Sequence, residues 1–127
     1  MIVTVTLNPS IDRTAPIAGP LRRGQVNRLG SSTEVAAGKG VNISRVLRGA
    51  GIETCAVVPA GAKGRLTLGL NHDDIPHQVV PVAAAVRTNL TITEPDGTTT
   101  KINEPGADLS PEELTAVEEA IVEKSSG

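Results

Sequence analysis

The chain contains no phenylalanine, no tyrosine and no tryptophan. One aromatic side chain can bury about 150–250 Å². A core without any must be built from many small contributions of Val, Ile, Leu and Ala. The material is sufficient, because 39% of the residues are hydrophobic and 13 of the 127 are glycine. At this length one ordinary domain is expected. The missing rings also exclude functions. No ring is present to stack on a nucleic-acid base or to cage a quaternary ammonium.

Charge narrows the class further. Twelve Lys and Arg stand against fourteen Asp and Glu, for a net charge of −2. No whole-protein field attracts a polyphosphate, so an anion site has to be local. A single cysteine, Cys55, cannot close an internal disulfide, and a reducing compartment fits. In the run Cys55-Ala56-Val57-Val58 it reads as a small buried hydrophobe rather than a reactive thiol. No run reaches the roughly 18 apolar residues of a membrane helix, and the start lacks a basic region and a cleavage site. A soluble cytoplasmic protein with no nucleic-acid and no membrane partner is expected.

Alternation with β-branched residues predicts a strand over 1–7, stopped by Asn8-Pro9-Ser10. Pro16 to Gly24 reads as loop, and Val26–Leu29 and Thr33–Ala36 as short extended segments. A helix follows Gly38-Lys39-Gly40, with Val41, Val46, Leu47 and Ala50 as its apolar side and Gly51 as its stop. Thr54–Val58 reads as a buried parallel strand and Arg65–Asn71 as a short helix. Val79–Val82 and Val86–Thr93 look extended. The turn Glu94-Pro95-Asp96-Gly97 leads back into a strand over Thr98–Ile102, making a hairpin. Ser110-Pro111-Glu112-Glu113 combines an N-cap, a first-turn proline and a capping box, with Leu114, Val117, Ala120 and Ile121 as the buried stripe. The pattern is α/β with an antiparallel appendage.

Ala37-Gly38-Lys39-Gly40-Val41-Asn42 opens the first helix. Free N–H groups at a helix start favour an anion or an oxygen-rich ligand, and glycines allow close approach. The loop is neither a Walker A loop, because Gly40 follows Lys39, nor a dinucleotide fingerprint, because Ile43 stands where the third glycine belongs. A structural turn and a ligand loop are both compatible with these local features. His72 and His77 read as surface residues rather than ligands.

The same segment resembles the N-terminal signature of the ribokinase-like sugar kinases, the phosphofructokinase-B family. Ala37, Gly38, Lys39, Gly40, Asn42 and Ser44 match it, followed at the right spacing by Gly51 and Gly61. Thr6-Leu7-Asn8-Pro9-Ser10-Ile11-Asp12 is similar to the opening of its 1-phosphofructokinase and tagatose-6-phosphate kinase branch. Val86-Arg87-Thr88-Asn89 resembles that branch's Thr-Arg-x-Asn strand, and Lys101-Ile102-Asn103-Glu104-Pro105-Gly106 its Asn-x-Pro-Gly turn. Ala37, where many members have glycine, is a permitted departure.

The resemblance implies the N-terminal portion of a ribokinase-like α/β/α sandwich with a small β-sheet lid. It implies a sugar phosphate as ligand, with fructose 1-phosphate preferred over tagatose 6-phosphate and fructose 6-phosphate. Asp12 would accept hydrogen bonds from sugar hydroxyls, although a turn aspartate has the same appearance. Gly38, Gly40 and Asn42 would line the sugar. Lys39 and Arg87 would hold the phosphate, for which a guanidinium fork is suited; a solvated strand residue is the other reading of Arg87. Asn89 belongs to the same strand motif, and Arg28 and Asn103 are further candidates. The hairpin 86–103 and the segments near 26–36 would form the lid.

In this family the base and the anion hole come from a Gly-Ala-Gly-Asp segment in the C-terminal half, which also binds ATP. These 127 residues contain neither that segment nor the family's Gly-Ser-Leu-Pro-Pro-Gly strand end. Residues 1–127 are therefore expected to be a substrate-binding and lid portion with no catalytic residue and no metal site of its own. ATP and Mg²⁺ belong to the full-length enzyme, and the portion alone is expected to bind neither and to be inactive. A non-catalytic sugar-phosphate-binding module is the alternative. A third reading is a fragment that folds only with its missing half or as a homodimer paired through the lid strands.

Overall fold

The computed structural model describes residues 1–61 and 63–126. Gly127, the last residue of the expected portion, lies outside them. The elements in chain order are β1 (Ile2–Val5), β2 (Ser10–Pro16), β3 (Thr33–Ala37), α1 (Lys39–Gly49), β4 (Thr54–Ala60), α2 (Arg65–His72), β5 (His77–Pro81), β6 (Arg87–Thr93), β7 (Thr99–Asn103) and α3 (Pro111–Ser125). One sheet is wholly parallel, in the order β1-β4-β5. The other runs β3-β2-β6-β7, with β2 antiparallel to β3 and parallel to β6, and β6–β7 forming the expected hairpin.

β4 is the centre of the molecule, and all seven of its residues are buried. Its alternating side chains serve two cores. Ala56, Val58 and Ala60 pack with Val41 of α1, Leu66 and Leu70 of α2, Ile11 of β2 and Ala36 of β3. Val57 turns the other way and packs with Val80, Val117 and Ala120. Helices α1 and α2 thus cover one face of the parallel sheet and α3 the other, giving the α/β/α layers. The second sheet is anchored to the first core through Ile11 and Ala36. Pro59 fits this central strand for a specific reason. Ala56 N–H bonds Pro76 at the entrance to β5, so odd-numbered residues of β4 face β1, where Val57 carbonyl accepts from Thr6. The β1 pairing ends at Val5, so the N–H that Pro59 lacks has no strand to face. Cys55 is buried and free, and burial pushes its thiol up.

Helix ends follow local chemistry. After α1, Gly51 adopts φ 75°, its N–H bonds Arg48 carbonyl and Ile52 N–H bonds Leu47 carbonyl, closing a Schellman motif. At α3, Ser110 accepts from Glu113 N–H at 3.1 Å and Glu113 carboxylate accepts from Ser110 N–H at 2.9 Å, the capping box read from sequence. The second Glu113 oxygen takes Ala83 N–H at 2.9 Å. The buried face of α1 is polar and small. Ser44 is fully buried and joins Thr4 at 2.7 Å and Thr54 at 2.9 Å, and Thr54 donates to Ile2 carbonyl.

Several expectations need correction. The first strand covers 2–5 rather than 1–7. β2 was not foreseen, because Arg13 interrupts the Ile11–Ala15 alternation and Pro16 closes it. Val26–Leu29 is not a strand; only Leu29 bridges to Ile17. Val46 is 72% exposed, so α1 does not bury the stripe of Val41, Val46, Leu47 and Ala50; Gly40, Val41 and Ser44 are its buried residues. On α3, Leu114 is exposed while Val117 and Ala120 are buried.

The first turn of α1 lies hard against the end of β1. A Cβ on Gly40 would stand 2.6 Å from both Val5 carbonyl oxygen and Thr6 Oγ1, whereas one on Gly49 meets nothing within 4 Å. Alanine gains about 0.8–1.0 kcal/mol of helix propensity over glycine, and overpacking costs about 1–3 kcal/mol. Gly49→Ala is therefore expected to raise the urea midpoint, read by far-UV circular dichroism, and Gly40→Ala to lower it. A midpoint raised by both would show that the close approach is not rigid.

Candidate functional site

The second sheet gathers the polar residues into register rows. Asp12 of β2 is the Cα partner of Val35 and of Asn89, and Asn89 is the partner of Asn103. Asp12, Asn89 and Asn103 therefore stand side by side on one face of three adjacent strands. One row away, Ser10 is the partner of Ala37 and of Arg87. On the other side, Thr14, Thr91 and Lys101 form the next row of the same face. The opposite face carries Ile11 and Ala36, which are seated in the core. Hydrogen bonds knit the polar face, with Ser10 Oγ donating to Asp12 Oδ1 at 2.8 Å and Asn89 Nδ2 to the same oxygen at 3.3 Å.

Arg87 opens β6 at the edge of this face. Its Nη2 donates to Asn8 carbonyl at 3.3 Å and its Nη1 to Glu104 carbonyl at 3.4 Å. No carboxylate pairs with it among the described residues. Arg87 Nε and Asn89 Oδ1 are buried side-chain atoms without a hydrogen-bond partner. Such atoms are uncommon in native structures. Glu104 also accepts from Thr88 N–H at 2.8 Å, and Asn8 Nδ2 donates to Pro105 carbonyl at 3.1 Å. These two residues hold the start of β6 against the turn after β7.

The glycine loop joins from the far side of Ser10. Gly38 follows Ala37 directly, takes φ 137°, and its α-carbon faces Thr6 and Pro9 so closely that a Cβ would strike Thr6. The N-cap residue Gly38 has no side chain to cap α1, and no acid lies in the first turn. Val41 N–H is instead taken by Thr6 Oγ1 at 3.0 Å. Gly40 is buried, while Lys39 and Asn42 are exposed. Asn42 Oδ1 accepts from Arg45 at 2.9 Å. The start of the helix thus presents donors and a lysine charge, which suits oxygen acceptors.

Of the residues singled out in the sequence, Asp12, Asn89, Asn103 and Arg87 share one sheet face. Gly38, Lys39, Gly40 and Asn42 adjoin its Ser10 end. Arg28 lies apart, beside the Ile17–Leu29 bridge at the opposite end of β2, roughly 20 Å along the strand. Ser10, Asn8, Glu104 and Arg45 were not singled out. For Ser10 the signal was its two-residue spacing from Asp12 on one strand; the others make long-range contacts with no local signature. Among the described residues no group of three His, Cys, Asp or Glu could hold a metal, and no helix is long and apolar enough to cross a membrane.

No protein-family model matches the chain. A 1-phosphofructokinase of Vibrio cholerae is 32% identical over 125 residues, which is 94% of this chain and 38% of that protein. Phosphofructokinase-2 of Escherichia coli, solved in complex with fructose-6-phosphate, matches the fold with a TM-score of 0.88 at 26% identity, over 96% of this chain and 41% of its own. By sequence and fold, the chain is similar to the N-terminal part of phosphofructokinases of the phosphofructokinase-B family. A possible 1-phosphofructokinase of Thermotoga maritima is similar as well, with a TM-score of 0.82 and 28% identity over 99% of this chain and 42% of that one. The chain spans about two-fifths of the length of these phosphofructokinases. The layered α/β/α core and the four-stranded second sheet are the fold expected of that part.

Behind the glycine loop, Arg45 also donates to Asp73 at 2.9 Å. That hydrogen bond, and then one from His72, hold the Asp73 carboxyl below the usual range. A depressed carboxyl contributes stability above its unfolded value, near 4, and the contribution is lost as pH falls through the folded value. Urea midpoints are thus expected to fall more steeply below about pH 4 for the native chain than for Asp73→Asn. Parallel slopes would remove this pair from the acid sensitivity.

Proposed function

We propose that residues 1–127 form the substrate-binding and lid portion of an ATP-dependent sugar-phosphate kinase that converts fructose 1-phosphate to fructose 1,6-bisphosphate. The observation that carries this reading is the register row Asp12–Asn89–Asn103 with Arg87 one row away, next to the glycine loop. Asp12 accepts from vicinal sugar hydroxyls, and the Asn89 and Asn103 amides supply both donors and acceptors. Gly38, Gly40 and Asn42 line the sugar. Arg87 and Lys39 take the existing phosphate, Arg87 through the donors its backbone partners leave available. Arg28 stands apart from this pocket in the single chain. The lid sheet excludes water, so that phosphate passes to sugar rather than to solvent.

ATP and Mg²⁺ would supply the transferred group and neutralise its charge in the full-length enzyme. The residues here offer the acceptor's pocket, not the base or the anion hole, so the chain alone binds without transferring. A second copy joins through the lid, where the open edges β3 and β7 carry the exposed Val35 and Ile102. The protein works in the cytoplasm. Fructose 6-phosphate is the second reading, favoured by the fold match to an enzyme solved with that ligand.

Isothermal calorimetry on the chain tests this. Fructose 1-phosphate is expected to bind more tightly than fructose 6-phosphate, and Arg87→Ala to weaken it about 10- to 100-fold. Coupled ADP release with ATP should stay at background. A reversed preference selects the second reading, no heat from either sugar phosphate rejects the pocket, and steady ADP release rejects the inactivity.

A further inference from the structure

We infer that Arg45 is a positioning residue. It fixes which end of the Asn42 amide faces the ligand and so makes the mouth of the glycine loop a purely donating surface. The inference rests on the proposed reading of Asn42 as a sugar-binding residue.

A carboxamide has two ends, an oxygen that accepts and an NH₂ that donates. An exposed asparagine turns freely between them. Asn42 does not have that freedom. Arg45, three residues on along α1, sends Nη1 to Asn42 Oδ1 at 2.9 Å. A guanidinium has donors only, so the end of the amide against it must be the oxygen, and the NH₂ must point away.

The guanidinium is itself held from two other elements. Its Nη2 donates to Ala36 carbonyl near the end of β3, and to Asp73 Oδ2 just past α2. These contacts are partly buried. A lysine ammonium is a point charge and cannot span three such acceptors with a planar fork. Arg45 is thus clamped to β3 and α2 and passes that rigidity to one side chain of the loop. The groups the loop then offers are donors: the first-turn amides that Thr6 does not take, the Lys39 ammonium and the Asn42 NH₂. Such a surface takes ligand oxygens as acceptors and disfavours a ligand group that must donate.

The test uses the whole chain, with fructose 1-phosphate as the probe in calorimetry. Arg45→Met is expected to weaken binding about tenfold in the native background and to add nothing in an Asn42→Ala background, because its effect passes through that amide. Equal losses in both backgrounds would overturn the inference, since a role in charge or folding acts whatever stands at 42. Arg45→Lys should not restore binding. Asn42→Asp keeps the Arg45 contact but turns the outward donor into a carboxylate. It is expected to keep the native melting temperature and to lose more than tenfold in affinity, and tight binding by this variant would also overturn the inference. Should Arg45→Met unfold, Asn42→Asp decides alone. If the native chain fails to bind the probe, the proposed function falls, and nitrogen relaxation of the Asn42 side-chain amide decides the positioning separately. The amide is expected to be ordered in the native chain and mobile in Arg45→Met or Asp73→Asn. An amide equally ordered in all three would overturn the inference.

Discussion

The contact on which the rest of the molecule depends is the approach of α1 to the end of β1. Gly40 packs directly on Val5 carbonyl, and the cap for Val41 N–H comes across from Thr6 rather than from the residue before the helix. This separates two tasks that one residue usually performs. An ordinary N-cap residue puts its own side chain over the helix start, and that side chain would occupy the positive end of the helix dipole. With Thr6 capping from below, Gly38 can be bare, and the outer side of the first turn stays open. The same closeness explains Ser44. At this spacing the position of α1 that faces Thr4 and Thr54 takes a small residue, and a chain of hydroxyls from Thr4 through Ser44 to Thr54 fills the gap.

The polar face of the second sheet is fixed by its apolar face. Side chains alternate along a strand, so a slip of one residue would carry a whole set to the other side. Ile11 and Ala36 are locked into the core with Leu66 and Leu70. With Ile11 committed inward, Ser10 and Asp12 must face outward. The parallel pairing of β2 with β6 and the hairpin then bring Asn89 and Asn103 into line. The site has no core of its own; its geometry is the reverse side of hydrophobic packing.

What could be read in the sequence was what is local. The capping box at Ser110, the Gly51 stop and the Glu94–Gly97 turn are each decided within a few residues, and each is present. β2 escaped because Arg13 occupies a position where alternation wants an apolar residue, and it finds its partner, Ser32, 19 residues away. The α1 stripe was misread because periodicity selects large apolar residues, whereas close packing here selects small ones. The candidate site residues rest on family resemblance rather than on pattern. Asp12 and Asn89 are 77 residues apart, and no periodicity predicts that their strands pair in parallel. Arg45 escaped for the same reason, since its contacts with Ala36 and Asp73 exist only once three elements have packed.

The chain treats its buried polar groups in two distinct ways, and the contrast bears on function. The Thr4–Ser44–Thr54 network is closed, ending on Ile2 carbonyl, as a structural network should be, because an unmade buried hydrogen bond costs about 1–3 kcal/mol. Around Arg87 and Asn89 the network is open, with Nε and Oδ1 unpartnered. The arginines differ in the same way. Arg45, Arg48 and Arg65 each pair with a carboxylate, Asp73, Asp74 and Glu34 respectively. Arg87 touches only backbone carbonyls, which orient a guanidinium without neutralising it. A cation that is oriented, partly buried and left unneutralised is destabilising to the chain by itself. Under the proposed function its complement is the phosphate of the sugar, one register row from the carboxylate and amides that would meet the hydroxyls.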